Sequence, residues 1–235
     1  MVDSRRILMV IPARGGSKRL PRKNVLPLAG KPLICWTIEV ALEAGLDARV
    51  LVTSDDEEIL AVARQYESKG VIVLKRADEL ATDTATTVDA LVDAVAVERL
   101  AGYSPDTIVL LQPTSPLRTS KDICDAVELF ASDKNRATVV SVCEVDHPTA
   151  WVGVLGENAS FSGIDLSGKR SQDYGKEYRL NGAVYVAKTD ILMDGKTLFT
   201  KCLRAFVMPR YRSLDIDEEV DFKVCESVFN IGDTS

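Results

Sequence analysis

A cluster of basic residues follows the first apolar segment of the chain. The apolar segment is residues 7–10, and the loop after it carries five cations, Arg14, Lys18, Arg19, Arg22 and Lys23. Gly15 and Gly16 let the backbone turn tightly and bring its N–H groups close to an anion. Because arginine binds phosphate oxygens in a bidentate manner and lysine adds a mobile charge, we interpret this loop as a polyphosphate site.

The alternative interpretation of this loop is a basic segment that only contacts solvent. Its position directly after a strand favours the phosphate site, because open α/β sheets bind ligands at the carboxyl ends of their strands. The loop has neither the Gly-x-x-x-x-Gly-Lys-Ser/Thr pattern nor the Gly-x-Gly-x-x-Gly pattern of common nucleotide-binding folds. The sequence therefore predicts a phosphate site of a different type.

Two acidic residues near the C-terminal end could hold a metal ion. Asp215 and Asp217 are separated by one residue, which places both carboxylates on one side of an extended segment. Carboxylate and phosphate oxygens are ligands that Mg²⁺ prefers. The alternative is an acidic helix start, because Asp217, Glu218 and Glu219 would also complement a helix dipole. The spacing alone leaves both interpretations open.

Strand and helix signals alternate along most of the chain. We predict a doubly wound, mainly parallel α/β sheet from this rhythm, with the second helix capped by Ser54 or Asp55. The predicted strands are 7–10, 49–53, 71–74, 107–111, 137–142, 182–187 and 204–207, and the predicted helices are 32–44, 55–66, about 88–100, 120–130 and 217–230.

The rhythm breaks between about residues 146 and 179. This stretch is rich in Gly, Ser, Asp, Lys and Arg and contains Trp151, Phe161 and Tyr174. A polar excursion of this length in a compact domain is usually functional or faces a partner. We therefore expect one domain over residues 1–235, with an inserted dimerisation or substrate-lid region at about 146–180.

Composition excludes several classes of protein. The chain has 235 residues, 46% of them hydrophobic, and a net charge of −6, which argues against general nucleic-acid binding. It contains no apolar stretch of the roughly 20 residues that span a bilayer and no signal-peptide core, so we expect a cytoplasmic protein. The five scattered cysteines form no Cys-x-x-Cys pair, and we expect them to be buried free thiols. A Ser-His-Asp hydrolase is disfavoured, because His147 is the single histidine and no Gly-x-Ser-x-Gly occurs.

Seven motifs, in order along the chain, resemble those of the cytidylyltransferases that activate sialic acids, the CMP-N-acylneuraminate synthetases. They are Ile-Pro-Ala-Arg-Gly-Gly-Ser-Lys-Arg-Leu-Pro-Arg-Lys-Asn (11–24), Gly-Lys-Pro-Leu-Ile (30–34), Thr-Ser-Asp-Asp-Glu-Glu-Ile (53–59), Arg-Ala-Asp-Glu-Leu-Ala-Thr-Asp-Thr-Ala (76–85), Leu-Gln-Pro-Thr-Ser-Pro-Leu-Arg (111–118), Tyr-Arg-Leu-Asn-Gly-Ala-Val-Tyr (178–185) and Asp-Ile-Asp (215–217). Each segment alone is a weak signal, whereas the ordered set is specific.

The resemblance implies a Rossmann-like nucleotidyltransferase fold, a homodimer and a magnesium-dependent reaction. In that reaction CMP passes from CTP to the anomeric hydroxyl of a nonulosonic acid, and pyrophosphate leaves. The implied catalytic residues are Arg14, Lys18, Lys23, Asp215 and Asp217, of which the two aspartates would hold Mg²⁺. The implied nucleotide-binding residues are Ala13, Arg14, Gly15, Ser17, Arg19, Lys23, Asn24, Arg76, Ala85 and Thr87. The implied sugar-binding residues are Gln112, Arg170, Gln172 and Asn181.

The chain departs from the family pattern at several positions, and alternatives stay open. Ala77 stands where the family often has proline, and Ser171 replaces an arginine. The Gln-Pro-Thr-Ser-Pro-Leu-Arg run favours a sialic or legionaminic acceptor, and Arg22 stands where the enzymes for the eight-carbon sugar of lipopolysaccharide have glycine. Pseudaminic acid or another 2-keto-3-deoxy sugar acid is an alternative acceptor. A further alternative is a nucleotide-binding homologue without catalysis.

Overall fold

A computed structural model describes residues 6–80, 85–133 and 138–232 of the chain. A seven-stranded sheet lies at its centre, with helices on both faces. The strands are β1 (Ile7–Pro12), β2 (Ala48–Ser54), β3 (Val71–Lys75), β4 (Thr107–Leu111), β5 (Thr138–Glu144), β6 (Tyr178–Lys188) and β7 (Leu203–Val207). The helices are α1 (Leu33–Glu43), α2 (Glu57–Arg64), α3 (Thr87–Leu100), α4 (Ser120–Ser132), α5 (Thr189–Gly195) and α6 (Glu219–Gly232).

The sheet order is β7-β5-β6-β4-β1-β2-β3. Strands β1 to β4 are parallel to one another, and β7 is parallel to β5. Strand β6 is antiparallel to both of its neighbours, β4 and β5. The prediction of a mainly parallel, doubly wound sheet is therefore confirmed. Because β2 and β4 lie on opposite sides of β1, the strand order reverses there, and the carboxyl ends of β1 and β4 form the expected ligand crevice.

Alternate residues of β1 supply two separate cores. Ile7, Met9 and Ile11 pack with α1, α2 and α4 on one face of the sheet, whereas Leu8 and Val10 pack with α3 and α5 on the other. A strand covered on both faces must be apolar throughout, which explains why the first segment reads as an unbroken hydrophobic run.

A third, smaller core fastens α6 to the rest of the molecule. It contains buried Leu28, Leu33 and Ile216, and the ring of Trp36 on α1 lies 4.1 Å from that of Phe229 on α6. Ile216 stands between Asp215 and Asp217. Apolar packing at residue 216 therefore brings the two carboxylates of the C-terminal segment to the ligand crevice.

Several predicted boundaries differ from the structure. Asp56, not Ser54 or Asp55, caps α2, because its Oδ1 accepts from the N–H groups of Glu58 and Ile59 at 2.9 and 3.1 Å. Pro32 lies at the N-cap of α1 rather than in its first turn. Helix α5 was not predicted from the sequence, because seven residues are too few to show a helical period. The predicted start of β5, residue 137, lies outside the described residues.

The region between β5 and β6 has little regular structure, as the sequence indicated. It holds short 3₁₀ turns and a small hairpin that pairs Val154–Leu155 with Phe161–Ser162. Among the cysteines, Cys35, Cys143 and Cys225 are buried and Cys202 is exposed, so the expectation of burial is wrong for Cys202. No helix in the described parts of the chain is long and apolar enough to cross a membrane.

Candidate active site

A cavity of about 620 Å³ opens at the carboxyl ends of β1 and β4. Five segments that are far apart in sequence form its walls: the basic loop after β1, Arg76 after β3, the start of α3, the turn after β4, and the segment that carries the two aspartates. The lining residues are Pro12, Ala13, Arg14, Ser17, Lys18, Arg19, Lys23, Asn24, Arg76, Ala85, Thr86, Thr87, Ala90, Gln112, Pro113, Thr114, Asp215 and Asp217.

All but four of the site residues predicted from the sequence line this cavity. Gly15, Arg170, Gln172 and Asn181 do not. The lining also includes residues that the sequence analysis did not select, of which Thr114 is the most informative. Thr114 follows directly after the carboxyl end of β4 within the Gln-Pro-Thr-Ser motif, and that position was the signal that could have identified it.

Asp217 is paired with two cations of the basic loop. Its Oδ2 accepts from Nη2 of Arg19 at 2.7 Å, and its Oδ1 lies 3.2 Å from Nζ of Lys23. Nζ of Lys23 also donates to the carbonyl of Ile216 at 2.5 Å. The basic loop and the acidic segment are thus in direct contact, which is the arrangement needed to hold phosphate and metal side by side.

Asp215 lines the cavity beside Thr114 and Tyr185, and the residue as a whole is exposed. Desolvation raises the pKa of its carboxyl group, and the negative charges of Asp217 and Asp221 add to that increase, while a hydrogen bond from Thr114 and the charge of Lys23 oppose it. A carboxylate in this environment gains from a nearby cation.

The donor set of the cavity fits Mg²⁺. Two hard carboxylate oxygens come from Asp215 and Asp217, and no third acidic, histidine or cysteine side chain joins them within the described ranges. Mg²⁺ commonly binds through one or two carboxylates and substrate phosphates, with water completing the shell. The basic loop across the cavity supplies a place for those phosphates.

The side-chain oxygen of Asn24 can accept a hydrogen bond from a bound nucleotide. Its Nδ2 donates to the carbonyl of Arg14 at 3.1 Å, so the amide orientation is fixed. Its Oδ1 is buried and has no hydrogen-bond partner within residues 6–80, 85–133 and 138–232. A buried unpaired acceptor is costly, and a ligand hydroxyl or amine in the cavity would satisfy it.

Arg76 forms part of the cavity floor and is only 7% exposed. Its Nη2 donates to the carbonyls of Thr53 and Ala13 at 2.9 and 3.2 Å, and these residues stand at the ends of β2 and β1. Desolvation lowers the pKa of Arg76, while the charges of Asp55 and Asp93 oppose that effect. Arg76 is therefore buried at the cavity and does not lie on the protein surface.

Acidic residues at the start of α2 hold the back of the basic loop. The Gly15 N–H donates to Oδ1 of Asp55 at 3.3 Å. A Cβ on Gly15 would lie 2.5 Å from Oδ2 of Asp56, so only glycine allows this approach. Arg22 pairs with Glu58, on the side away from the cavity. Of the five loop cations, Arg22 is therefore the one that anchors the loop instead of lining the cavity.

Gln112 lies against a bulge of β6. Gly182 has φ +76°, and a Cβ there would lie 2.7 Å from Oε1 of Gln112. Beneath both residues lies Arg118, which is 1% exposed. Its guanidinium donates to the carbonyls of Ala183 and Gln112 at 2.7 and 3.2 Å. Arg118 is thus an anchor of this wall.

The remaining predicted sugar-binding residues lie elsewhere. Arg170 and Gln172 are exposed in the irregular region, where Arg170 pairs with Asp173 at 3.4 Å. Asn181 is 3% exposed, and its side chain is committed to buried hydrogen bonds. This chain by itself therefore presents Gln112, but not the other three residues, to the cavity.

Comparisons with known proteins agree on one kind of enzyme. A family model described as cytidylyltransferase matches residues 8–153. The chain is 36% identical over 224 residues to an N-acylneuraminate cytidylyltransferase of Escherichia coli, which covers 95% of this chain and 52% of that protein. It is 33% identical over 230 residues to a CMP-N,N'-diacetyllegionaminic acid synthase of Legionella pneumophila, covering 96% of this chain and 97% of that protein.

A solved structure shows the same fold. It is a CMP:2-keto-3-deoxy-manno-octonic acid synthetase complexed with CTP, with a TM-score of 0.73 and 19% identity, covering 97% of this chain and 99% of that one. The chain thus matches the Legionella relative over nearly its full length and spans about half the length of the Escherichia relative.

Proposed function

This chain belongs to the cytidylyltransferase family, and from that premise we propose that it transfers CMP from CTP to the anomeric hydroxyl of a nonulosonic acid. Pyrophosphate is the second product. The observation that carries the proposal is the contact of the basic loop with Asp217 at the edge of one cavity. The basic loop can neutralise a triphosphate directly, and the carboxylates could do so from the other side through a bound metal ion.

The basic loop binds the triphosphate and stabilises the departing pyrophosphate. Arg14, Ser17, Lys18, Arg19 and Lys23 all line the cavity. Nucleotidyl transfer depends mainly on positioning and on neutralising the charge that develops on the leaving group. Lys23 is fixed in place, because the Ile216 carbonyl and Asp217 both bind its ammonium group.

Asp215 and Asp217 would hold Mg²⁺, which supplies charge neutralisation at the phosphates when bound. Asp217 has to exchange part of its pairing with Arg19 for this role. The exchange costs little, because the Arg19 side chain is 62% exposed and surface ion pairs contribute about 0–1 kcal/mol. Arg19 then becomes available to the phosphates.

The cytosine ring occupies the cavity end formed by Arg76, Ala85 and Thr87. A backbone carbonyl near Ala85 can accept the exocyclic amine, which distinguishes cytosine from uracil. Asn24 supports this placement through its buried Oδ1, which a nucleotide hydroxyl or amine can reach from the cavity.

Gln112 contacts the acceptor sugar, and a second copy of the chain completes the acceptor site. Exposed apolar side chains in the inserted region at about 146–180 support a homodimer. Val152, Val154 and Leu155 are 66–72% exposed, and Phe161 is 54% exposed. Exposed apolar surface of this kind is typical of an interface. Arg170 and Gln172 belong to the same region and would reach the partner's cavity.

Subunit complementation tests this arrangement. The Arg170→Ala and Asp217→Ala variants should each be inactive alone. A re-associated mixture should recover about a quarter of the wild-type rate, because half of the dimers are mixed and each mixed dimer has one intact site. No recovery in a mixture shown to exchange subunits would place Arg170 and Asp217 in the same subunit's site. An Arg170→Ala variant that is active alone would place Arg170 outside any site.

The acceptor is assigned by a panel of acids. Pyrophosphate release from CTP is measured with sialic, legionaminic and pseudaminic acids and with the eight-carbon 2-keto-3-deoxy sugar acid, each with and without Mg²⁺. Turnover with one nine-carbon acid supports the proposal, and preference for the eight-carbon acid corrects its acceptor. CTP binding without turnover on any acid favours the non-catalytic nucleotide-binding alternative. The cytoplasmic location stays a prediction.

A further inference from the structure

A buried polar network lies behind the cavity wall, outside the site described above. Its centre is Asn181, and its other side chains are Ser141 and Ser213, both 0% exposed. Oδ1 of Asn181 accepts from Oγ of Ser141 at 2.6 Å, and Nδ2 donates to Oγ of Ser213 at 2.8 Å. The Ser213 hydroxyl donates onward to the carbonyl of Pro209 at 2.9 Å. The carboxamide therefore has partners on both sides, and Nδ2 also lies 3.4 Å from Sδ of Met208.

The network joins the central sheet to the metal-holding segment. Ser141 belongs to β5 and Asn181 to β6, where the pairing register shifts between Leu180 and Tyr185. Ser213 stands two residues before Asp215. The Asn181 amide is thus a short connection between the bulge of β6 and the segment that presents Asp215 and Asp217.

The same bulge also touches the acceptor side of the cavity. Gly182 follows Asn181 and leaves no room for a Cβ beside Oε1 of Gln112. The Ala183 N–H donates to Oδ1 of Asn181 at 3.2 Å, which fixes the backbone on the other side of Gly182. Movement of Asn181 would therefore displace the surface against which Gln112 lies.

Several other contacts also hold the metal-holding segment, among them those of Lys23 with Ile216 and Asp217, so Asn181 shares this task. Arg212 forms an ion pair with the buried Asp122 at 2.8 Å, and the Ile216 N–H donates to the carbonyl of Thr114 at 2.8 Å. Between them, Ser213 is fastened to the sheet through Asn181. Loss of that bond would detach Ser213 from the central sheet while the flanking attachments remain.

We propose that Asn181 is a positioning residue, which fixes the Asp215–Asp217 segment through Ser213 and does not contact the sugar. This inference rests on the proposed function, because it assigns Asn181 a role in the same site. Buried neutral networks with every group paired hold their members in one arrangement, since any displaced partner leaves an unsatisfied group.

Two matched variants test the proposal. Ser213→Ala and Ser141→Ala each remove one buried hydroxyl that bonds to Asn181, but only Ser213→Ala releases the metal-holding segment. Titration calorimetry gives the Kd of CTP with Mg²⁺ and with EDTA. The measurement is the ratio of these two Kd values, which we call the Mg²⁺ factor. This readout needs no turnover.

In Ser213→Ala we expect the Mg²⁺ factor to fall about threefold or more, as for loss of one buried hydrogen bond, with metal-free CTP binding unchanged. Asn181→Asp, which removes the donor to Ser213, should do the same. Ser141→Ala should keep the wild-type factor although its melting temperature falls comparably.

Three results would overturn the proposal: an unchanged factor in Ser213→Ala, an equal fall in Ser141→Ala, or absence of any Mg²⁺ effect on the wild type. A selective rise of the sugar KM in Asn181→Asp with an unchanged Mg²⁺ factor would return Asn181 to the sugar site. If the wild type shows the Mg²⁺ effect but no turnover on any acid, the proposed function fails and the positioning role stands.

Discussion

The ammonium group of Lys23 lies 3.2 Å from the carboxylate of Asp217, although 194 positions separate the two residues in the chain. The contact closes the cavity between its basic and acidic walls. Lys23 is nearly buried there, with 11% of its side chain exposed, whereas Asp217 retains 39%. The acidic group is therefore open to a metal ion while the lysine is held in place.

Asp217→Asn should reduce turnover by two orders of magnitude or more while the fold remains intact. The amide is a poor Mg²⁺ ligand and cannot balance Arg19 and Lys23. Pyrophosphate release and the melting temperature are the measurements. Glu219→Gln is the control, because it removes a nearby acidic charge that pairs with Lys223 on the surface of α6. Equal turnover in both variants would remove Asp217 from the metal site.

Two arginines of the basic loop should behave differently. Arg19 lines the cavity, whereas Arg22 pairs with Glu58 behind the loop. Arg19→Gln should raise the KM for CTP about tenfold, since a charge-assisted phosphate contact is worth roughly 1.5–3 kcal/mol. Arg22→Gln should leave that KM within about twofold. Similar KM values for the two variants would show that the loop acts through its net charge instead of individual contacts.

Gly182→Ala should weaken acceptor use. The new Cβ would lie 2.7 Å from Oε1 of Gln112, so the glutamine side chain must move. We expect a higher KM for the sugar acid and a stability loss of about 1–2 kcal/mol from the positive φ. Gly102→Ala is the control, because φ is +84° there and a Cβ would have open space around it. A matching rise of the sugar KM in Gly102→Ala would show that the effect is general strain.

Arg118→Met should destabilise the protein by about 2–4 kcal/mol. The substitution leaves the carbonyls of Gln112 and Ala183 and the hydroxyl of Thr37 without their buried donor. Burial lowers the pKa of Arg118 to about 9, so the guanidinium stays charged at neutral pH. Urea denaturation gives the free energy of unfolding. The exposed Arg64→Met is the control, and a loss no larger than the control's would contradict the anchoring role.

Asp215→Asn should raise the melting temperature at neutral pH in the absence of metal. The pKa of the Asp215 carboxyl is raised in the folded state, so the folded protein binds more protons than the unfolded chain between the ordinary pKa and the raised one. The contribution of Asp215 to the free energy of unfolding is therefore fully present below the ordinary pKa of aspartate. It is lost as the pH rises through the raised pKa of the folded state. The amide of the variant does not ionise, so the variant avoids that loss of stability.

Melting temperatures of the wild type and Asp215→Asn across acid to neutral pH measure this effect. The advantage of the variant should shrink as pH falls towards the ordinary aspartate range. A variant that is less stable than the wild type at every pH would show that the Thr114 hydrogen bond outweighs desolvation.

Local sequence pattern was sufficient for most of the secondary structure. Residues 107–111 were predicted as a strand, and β4 has the same bounds. A short apolar run between two turns is typical of a buried strand. The helix cap at Asp56 was missed, since three polar residues in succession could each cap α2. Only the tertiary structure assigns one of them, by giving the neighbouring Asp55 to the Gly15 N–H.

Side-chain roles were less accessible from the sequence. The motif around Asn181 suggested a sugar contact, yet the bulge of β6 turns this residue away from the cavity and buries it between Ser141 and Ser213. Arg19 and Arg22 cannot be distinguished from the local sequence, but Arg19 pairs with Asp217 at the cavity and Arg22 pairs with Glu58 behind the loop. The partners of these side chains depend on which distant segments pack together, and the spacing of residues within one segment does not indicate that.

The sequence by itself determined the order of the seven strands and of the helices except α5, the basic loop after β1 and the two carboxylates at 215 and 217. Each of these depends on residue type and short-range spacing. The tertiary structure alone decided that the loop and the carboxylates meet. That meeting depends on Ile216 and α6 packing into the small core beside Leu28 and Leu33. Burial of apolar surface between remote segments places the charged groups, and only the folded chain forms that contact.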